Sequence, residues 1–301
     1  MNTINKLQNA KQQLDYLAAQ SQLYSEAKKT LLIRSVLAIP IVIIVSVIAA
    51  VYSQTQAYAA LYGIAVALSD LVILRPLQKS VQEKAAKIQE LFDAKVLQIR
   101  WNDLKTGTIP AAEEIFAASS RYLKKNINYS PLKNWYPPSA GKPPIYLGRL
   151  ICQRANCWWD AKLRKKYAFL LVALTLILTV LVFLIGLIGG MTLEKFVLVI
   201  ATPLLPIYVF SIKEIQDQME SANSIDQIRA VCEDTWVKIL NKEIYEKKVE
   251  TISRDLQDEI FERRKNGPLI FSWIYMILRS GYEKQMNKGS ESLVKEVLSI
   301  K

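Results

Sequence analysis

The residues able to do chemistry in this chain are crowded into two short segments. Residues 152–167 read CQRANCWWDAKLRKKY, and residues 254–265 read RDLQDEIFERRK, with Trp273, Tyr275 and Arg279 close behind. On a helix, Asn156, Asp160 and Arg164 recur at every fourth position and share a face. An amide, a carboxylate and a guanidinium so placed make a structural polar network, with the acid preceding the base in the favourable order. Guanidinium groups bond phosphate oxygens in pairs, and aromatic rings stack on bases. Arg154, Arg164, Arg263, Arg264 and Arg279 are therefore the candidate contacts for an anionic ligand. Each segment also has a plainer explanation. Trp158 and Trp159, with basic residues behind them, fit a membrane-edge anchor. Glu259 and Arg263 fit a solvated helix face.

Other chemistry is excluded by composition. None of the 301 residues is histidine, which removes His-based triads, His general bases and His-ligated zinc or haem. Cys152, Cys157 and Cys232 are too few for a disulfide framework, and the C-x4-C pair matches no strong zinc spacing. Neither phosphate-binding glycine loop motif is present. No catalytic residue, metal or cofactor is expected, and the chain does not read as an enzyme. Lys and Arg number 39 against 27 Asp and Glu, a net charge of +12.

Four apolar stretches must position these segments. They run from about Ser35 to Ser53, Ala57 to Leu74, Phe169 to Gly190 and Leu193 to Ile212. Each is long enough to cross ~30 Å of hydrocarbon as a helix. Gln54-Thr55-Gln56 joins the first pair and Met191-Thr192 the second, so the spans form two antiparallel hairpins. Residues 1–34 carry five Lys/Arg and residues 75–166 carry eighteen, whereas the hairpin tips carry one, Lys195. The positive-inside rule then places both termini and the central insert in the cytoplasm.

The organisation predicted is all-α: a cytoplasmic amphipathic helix over 1–34, hairpins over 35–74 and 167–212, an insert over 75–166 and a helical tail over 213–301. Leu7, Leu14, Leu17 and Tyr24 lie at helical spacing in the first of these. Lys79 to Asp103 reads as helix, and Thr108 or Pro110 opens another through Arg121. Five of the eleven prolines fall in 126–148, beside Tyr129, Trp135, Tyr136 and Tyr146. That composition predicts an ordered, extended loop rather than helix. Long amphipathic helices follow the fourth span until Asn266-Gly267-Pro268 stops them. Residues 269–278 are too short to span, leaving a core helix or an interfacial one.

Within the spans, Ala59, Gly63 and Ala67 share one face, as do Gly186 and Gly190. Such small-residue faces let helices pack closely in lipid. Asp70 is the acid deep in a span, expected to pair with Arg75 or Lys79, or else to serve a pore mouth or subunit contact. Polar residues are few, which argues against an open channel or a midplane transport site.

The order of these parts, with CQRANCWWDAKLRKKY (152–167) and LQDEIFERRKNGPLIFSWIYMILR (256–279), resembles the SMODS-associated four-transmembrane (S-4TM) pore-forming effectors over nearly the whole chain. The resemblance implies a multi-pass protein of the bacterial inner membrane acting in anti-phage defence. It implies a trigger, a cyclic oligonucleotide made by a nucleotidyltransferase, and an outcome, perforation of the membrane that arrests or kills the host. Four helices enclose a side-chain-filled centre, so leakage requires several chains, and a homo-oligomer is expected in the active state. No duplex DNA or RNA partner is expected. The competing classes are a ligand-gated channel or transporter unrelated to defence, and a membrane-anchored scaffold without a pore.

Overall fold

The structure, a computed structural model, describes residues 1–190, 192–197 and 201–299. The regular elements among the described residues are all helical, and three runs are long and apolar enough to cross a membrane: Lys11–Ala49, Gln56–Leu97 and Ile145–Ile188. The chain is an all-α membrane protein. The fourth apolar stretch falls partly on residues 198–200, and the tip of that hairpin on residue 191, outside the described residues.

The N-terminal segment is two helices rather than one. α1 (Ile4–Gln8) stops at Asn9, and α2 (Lys11–Ala38) starts afresh after the extended Ala10. This turns Leu7 off the α2 stripe and brings Asn2 and Asn5 onto the Pro-rich loop. Asn2 Nδ2 donates to the carbonyls of Ala140 and Pro143, and Asn5 Nδ2 to that of Pro138. The first span is itself divided. Pro40 has no N–H to donate, so α2 ends and α3 (Pro40–Val51) begins with proline in its first turn.

The second span, α4 (Gln56–Ser69), runs through a π-helical turn at Asp70–Leu74 into α5 (Arg75–Leu97) without leaving the helical axis. Pro76 explains the wide turn: it cannot bond the carbonyl four residues back, and its ring crowds that carbonyl. α5 ends at Gln98, which is left-handed, short of Asp103. α6 (Asp103–Thr106) and α7 (Ala112–Leu123) follow, with Ala111 rather than Thr108 or Pro110 at the α7 start.

The Pro-rich segment is ordered. Its short turns at Ser130–Leu132 and Pro138–Gly141 wrap the body, and Tyr136 is inserted to 1% exposure, stacked on Phe92 at 5.9 Å. The helix-free stretch is shorter than expected, because proline's constraint ends at Pro144. α8 (Ile145–Ile188) starts at the next residue and runs 44 residues from the body into the third span. α9 (Leu193–Phe196), α10 (Thr202–Leu240), α11 (Glu246–Asn266) and α12 (Ser272–Ser299) complete the chain.

Packing divides the molecule in two. Below the spans, α2, α5, α7 and the Pro-rich loop share one apolar core around Leu17, Phe92, Ile115 and Tyr136. Leu150, Cys157 and Ala161 of α8, Ile225 and Cys232 of α10, and Leu256 and Ile260 of α11 form a second. In the spans the apolar side chains face outward instead. Ile44, Leu61, Ile64, Leu68, Leu174, Ile177 and Leu181 are all exposed, an arrangement suited to lipid and not to water.

The small residues divide by role. Gly63 has nothing within 4 Å of where a side chain would begin, so that face is open. A Cβ on Gly186 would meet the Phe196 ring at 2.5 Å, so this glycine is used inside its own hairpin. Gly190 lies at positive φ just beyond α8, where it ends the helix rather than packing a neighbour.

Candidate functional site, a buried polar joint below the spans

Two acids lie on the buried stripe of α5. Ala86, Glu90, Asp93 and Leu97 follow at helical steps, and all four are buried, Glu90 and Asp93 to 0% exposure. A buried carboxylate is tolerated only with cations and donors around it. α11 supplies them from a matching stripe. Arg264 Nη1 donates to Asp93, and Arg254 Nη2 donates to Glu90 at 2.8 Å. Gln257 Nε2 reaches Glu90 at 2.8 Å and Asp93 at 2.9 Å. The Tyr136 hydroxyl donates to Asp93 from the Pro-rich loop, and Asn156 Nδ2 donates to that hydroxyl at 3.2 Å. α8 also joins through Gln153, whose Nε2 donates to the Ser253 carbonyl at 2.7 Å and to Gln257 Oε1 at 3.1 Å.

Arg254 is held on three sides: it also pairs with Asp258 at 2.9 Å and donates to the Arg100 carbonyl at 2.7 Å. Arg149, buried at the start of α8, donates to the carbonyls of Leu97 at 2.6 Å and Gln98 at 2.7 Å. It thereby closes the C-terminus of α5, where carbonyls lack helical partners and a cation is favoured.

These surroundings shift the titrating groups. Burial, reinforced by the Asp93 carboxylate, lifts the Glu90 carboxyl from 4.5 to about 7, against the pull of Arg254 and Gln257. Burial and then Asp93 push the Tyr136 hydroxyl well up. Burial works to release the Arg264 proton, but the facing Asp93 overrides it and holds the guanidinium charged. Cys152 and Cys157 are raised by burial, and Cys232 by burial to about 12, so all three are inert thiols.

A second tier lies one to two turns nearer the spans. Arg164 pairs with Asp160 at 3.1 Å, and its Nη1 donates to Gln218 Oε1 at 2.9 Å and to the Pro268 carbonyl at 2.8 Å. Gln82 of α5 donates to the carbonyls of Arg264 at 3.0 Å and Gly267 at 2.8 Å. The chain reversal after α11 is thus fastened to α5, α8 and α10 together. Gly267 is required there: a Cβ would sit 2.5 Å from the Arg263 carbonyl. Lys28 of α2 faces this tier, its ammonium lowered to about 8 by burial and by Arg164, with Asp160 opposing.

The third cluster is at the membrane edge. Asp70 pairs with Arg75 at 2.8 Å and also with Arg34, whose Nη1 donates to Gln78 Oε1 at 2.6 Å. Arg34 ends the polar part of α2, and hairpin closure brings it to the depth of Asp70.

The five candidate ligand arginines are distributed through this framework. Arg164 and Arg264 lie inward, on the packed faces of α8 and α11, each with a carboxylate partner. Arg154 pairs with Glu233 at 2.8 Å, Arg263 with Glu259 at 3.8 Å, and Arg279 with Glu283 while donating to the Pro131 carbonyl at 2.7 Å. These three side chains are part-exposed. Trp158 and Trp159 pack on α12 rather than projecting as an anchor: Trp158 meets Tyr282 at 6.0 Å, and Trp159 meets Tyr275 at 6.1 Å.

Sequence reasoning missed Glu90, Asp93, Tyr136, Arg149, Gln257 and Arg34. The signal for the acids was present, because both occupy apolar-stripe positions of α5. Tyr136 and Arg34 acquire their partners only from chain reversals far away in sequence.

Helices shared between a polar body and apolar spans, tied by buried ion pairs, define a helical membrane protein. The chain belongs to the family of SMODS-associating 4TM effector domains, whose model matches residues 2–293. It is also similar to a Bacillus cereus (strain VD146) protein named "Probable CBASS effector molecule". The two are 26% identical over 215 residues, covering 71% of this chain and 70% of the relative. No solved structure matches the chain.

Proposed function

We propose that this protein is a membrane-disrupting effector of anti-phage defence, triggered by a cyclic oligonucleotide on the cytoplasmic side of the bacterial inner membrane. Family membership and the named relative support the defence role. The observation that carries the mechanism is helix continuity: α8 extends 44 residues through both polar tiers and on into the third span. A displacement of the body at Asn156, Asp160 or Arg164 therefore moves the span with it. The charge asymmetry of the chain supports cytoplasmic termini.

The ligand engages the part-exposed cations Arg154, Arg263 and Arg279 by exchanging their carboxylate partners for phosphate. The buried Arg164 and the nearly buried Arg264 carry the response inward. Several chains then assemble through the open face of Ala59, Gly63 and Ala67. A ligand moves such an equilibrium only through its preference for the assembled state, and a switch from about 1% to 99% needs roughly 5.5 kcal/mol. Phosphates bridged between two subunits by several guanidinium groups supply differential contacts of this kind.

The test is membrane integrity in bacteria. Cells expressing this chain together with a nucleotidyltransferase that makes cyclic oligonucleotides should admit an impermeant dye, and cells expressing either alone should not. Intact membranes under co-expression of nucleotidyltransferases covering di- and trinucleotide products would overturn the proposal.

A further inference from the structure

The start of α12 presents an exposed apolar face. Trp273, Met276 and Ile277 fall at i, i+3 and i+4 and are 50%, 67% and 69% exposed. The opposite face is packed: Ile274 is buried with Leu163 and Tyr167 of α8, and Leu170 and Leu171 of the third span pack on the same cluster. Sequence alone left residues 269–278 between core and interface, and one face packs in the core.

Contacts along α12 fix its direction. Ile274 packs with Leu163 and Tyr167, Tyr282 meets Trp158 at 6.0 Å and Trp159 at 5.8 Å, and Gly289 lies beside Arg154. Rising numbers on α12 meet falling numbers on α8, so the helices are antiparallel and α12 begins at the membrane end. At 1.5 Å per residue, Trp273 stands about 13 Å nearer the membrane than Tyr282. That is the level of Ala168 and Phe169, where the third span begins. The same face then changes character with distance from the spans, from Met276 and Ile277 to the exposed Lys284 and Lys288.

We infer that the first two turns of α12 are a foot inserted in the interfacial layer of the anionic leaflet, with Trp273 at the headgroup level and the lysines facing lipid charge. Two arguments select lipid as the occupant. The face stands at the level where the third span begins, and Phe169 of α8 is exposed there as well. Its gradient from aromatic and aliphatic to lysine matches the profile of a leaflet boundary. The inference rests on the membrane placement of the spans and not on the ligand.

The test uses the full chain in nanodiscs containing anionic phosphatidylglycerol. Met276→Cys is labelled with a nitroxide, and Ile277→Cys serves as a second site should the first variant fold poorly. The native cysteines are buried, and the unsubstituted protein measures their background. Val237→Cys on the body and Leu176→Cys in the span, both at exposed positions, calibrate water and hydrocarbon. The foot predicts severalfold protection from a water-soluble nickel chelate relative to position 237, with oxygen access retained and a depth between the two references. Nickel access equal to that at 237 would overturn the inference. Exclusion of both nickel and oxygen would overturn it in favour of a second protein surface, such as another copy of this chain.

Discussion

Arg264 and Asp93 meet in the interior of the protein across 171 positions of sequence, joining the last turn of α11 to the C-terminal end of α5. Asp93 is fully buried and Arg264 nearly so, and Tyr136 and Gln257 complete the carboxylate's coordination. This pair ties α11 to α5 beneath the spans.

Removing one partner leaves the other charged and buried. Arg264→Met should destabilise the protein by about 3–5 kcal/mol. Combining it with Asp93→Leu should cost less than the sum of the single changes. Thermal unfolding in detergent measures both; additive costs would show that the pair is not coupled.

Arg164 is more deeply committed than its partner. Asp160 is about a third exposed, whereas Arg164 is buried and holds Gln218 and the Pro268 carbonyl as well. Asp160→Ala should cost roughly 1–2 kcal/mol, because Arg164 keeps its other two acceptors. Arg164→Ala should cost more, by releasing the chain reversal at Gly267. The reverse order of folded abundance would contradict this assignment.

Glu90 gives the fold a pH dependence of known sign. Its carboxyl binds its proton more tightly in the folded state, at about 7 against 4.5. The stability it contributes is full below about pH 4.5 and is lost as pH rises through about 7. Glu90→Gln cannot ionise, so it should flatten the profile in that window and stabilise the protein at pH 8 on the order of 1 kcal/mol. Unfolding temperatures from pH 4 to 8 are the measurement, and a profile parallel to wild type would remove Glu90 as the source.

The two span glycines should fail differently when enlarged. Gly63→Leu adds a side chain to an open face, so the monomer should insert and bind ligand normally while leakage is blocked. Gly186→Leu drives into the Phe196 ring and should lower folded abundance instead. Insertion assays beside leakage separate the two. Normal leakage from Gly63→Leu would show that assembly uses another face.

The three spans found among the described residues were legible in the sequence because about twenty consecutive apolar residues have few other uses. The stop at Asn266-Gly267-Pro268 was legible because Gly267 sits where a side chain would strike a carbonyl. The polar joint was only half legible. Asn156, Asp160 and Arg164 share a helix, so spacing alone revealed their common face. Arg264 looked like a ligand contact because it stands in a run of charge, and the run concealed that it falls on the buried stripe with Ser253, Gln257 and Ile260. Glu90 and Asp93 pose the converse problem: they stand among the apolar positions of α5, and their cationic partners lie far away in sequence on α11. Tyr136 and Arg34 depend on tertiary contacts that no local pattern encodes.

The most direct measurement is dye release from proteoliposomes containing the purified full chain, with a panel of cyclic di- and trinucleotides added outside vesicles that expose the body. The account predicts sealed vesicles without ligand and rapid release with one class of cyclic oligonucleotide. Release and binding should both be lost in Arg263→Glu with Arg279→Glu, a variant that still inserts. Equal release with and without every cyclic nucleotide, or ligand-triggered release undiminished by that double reversal, would contradict it.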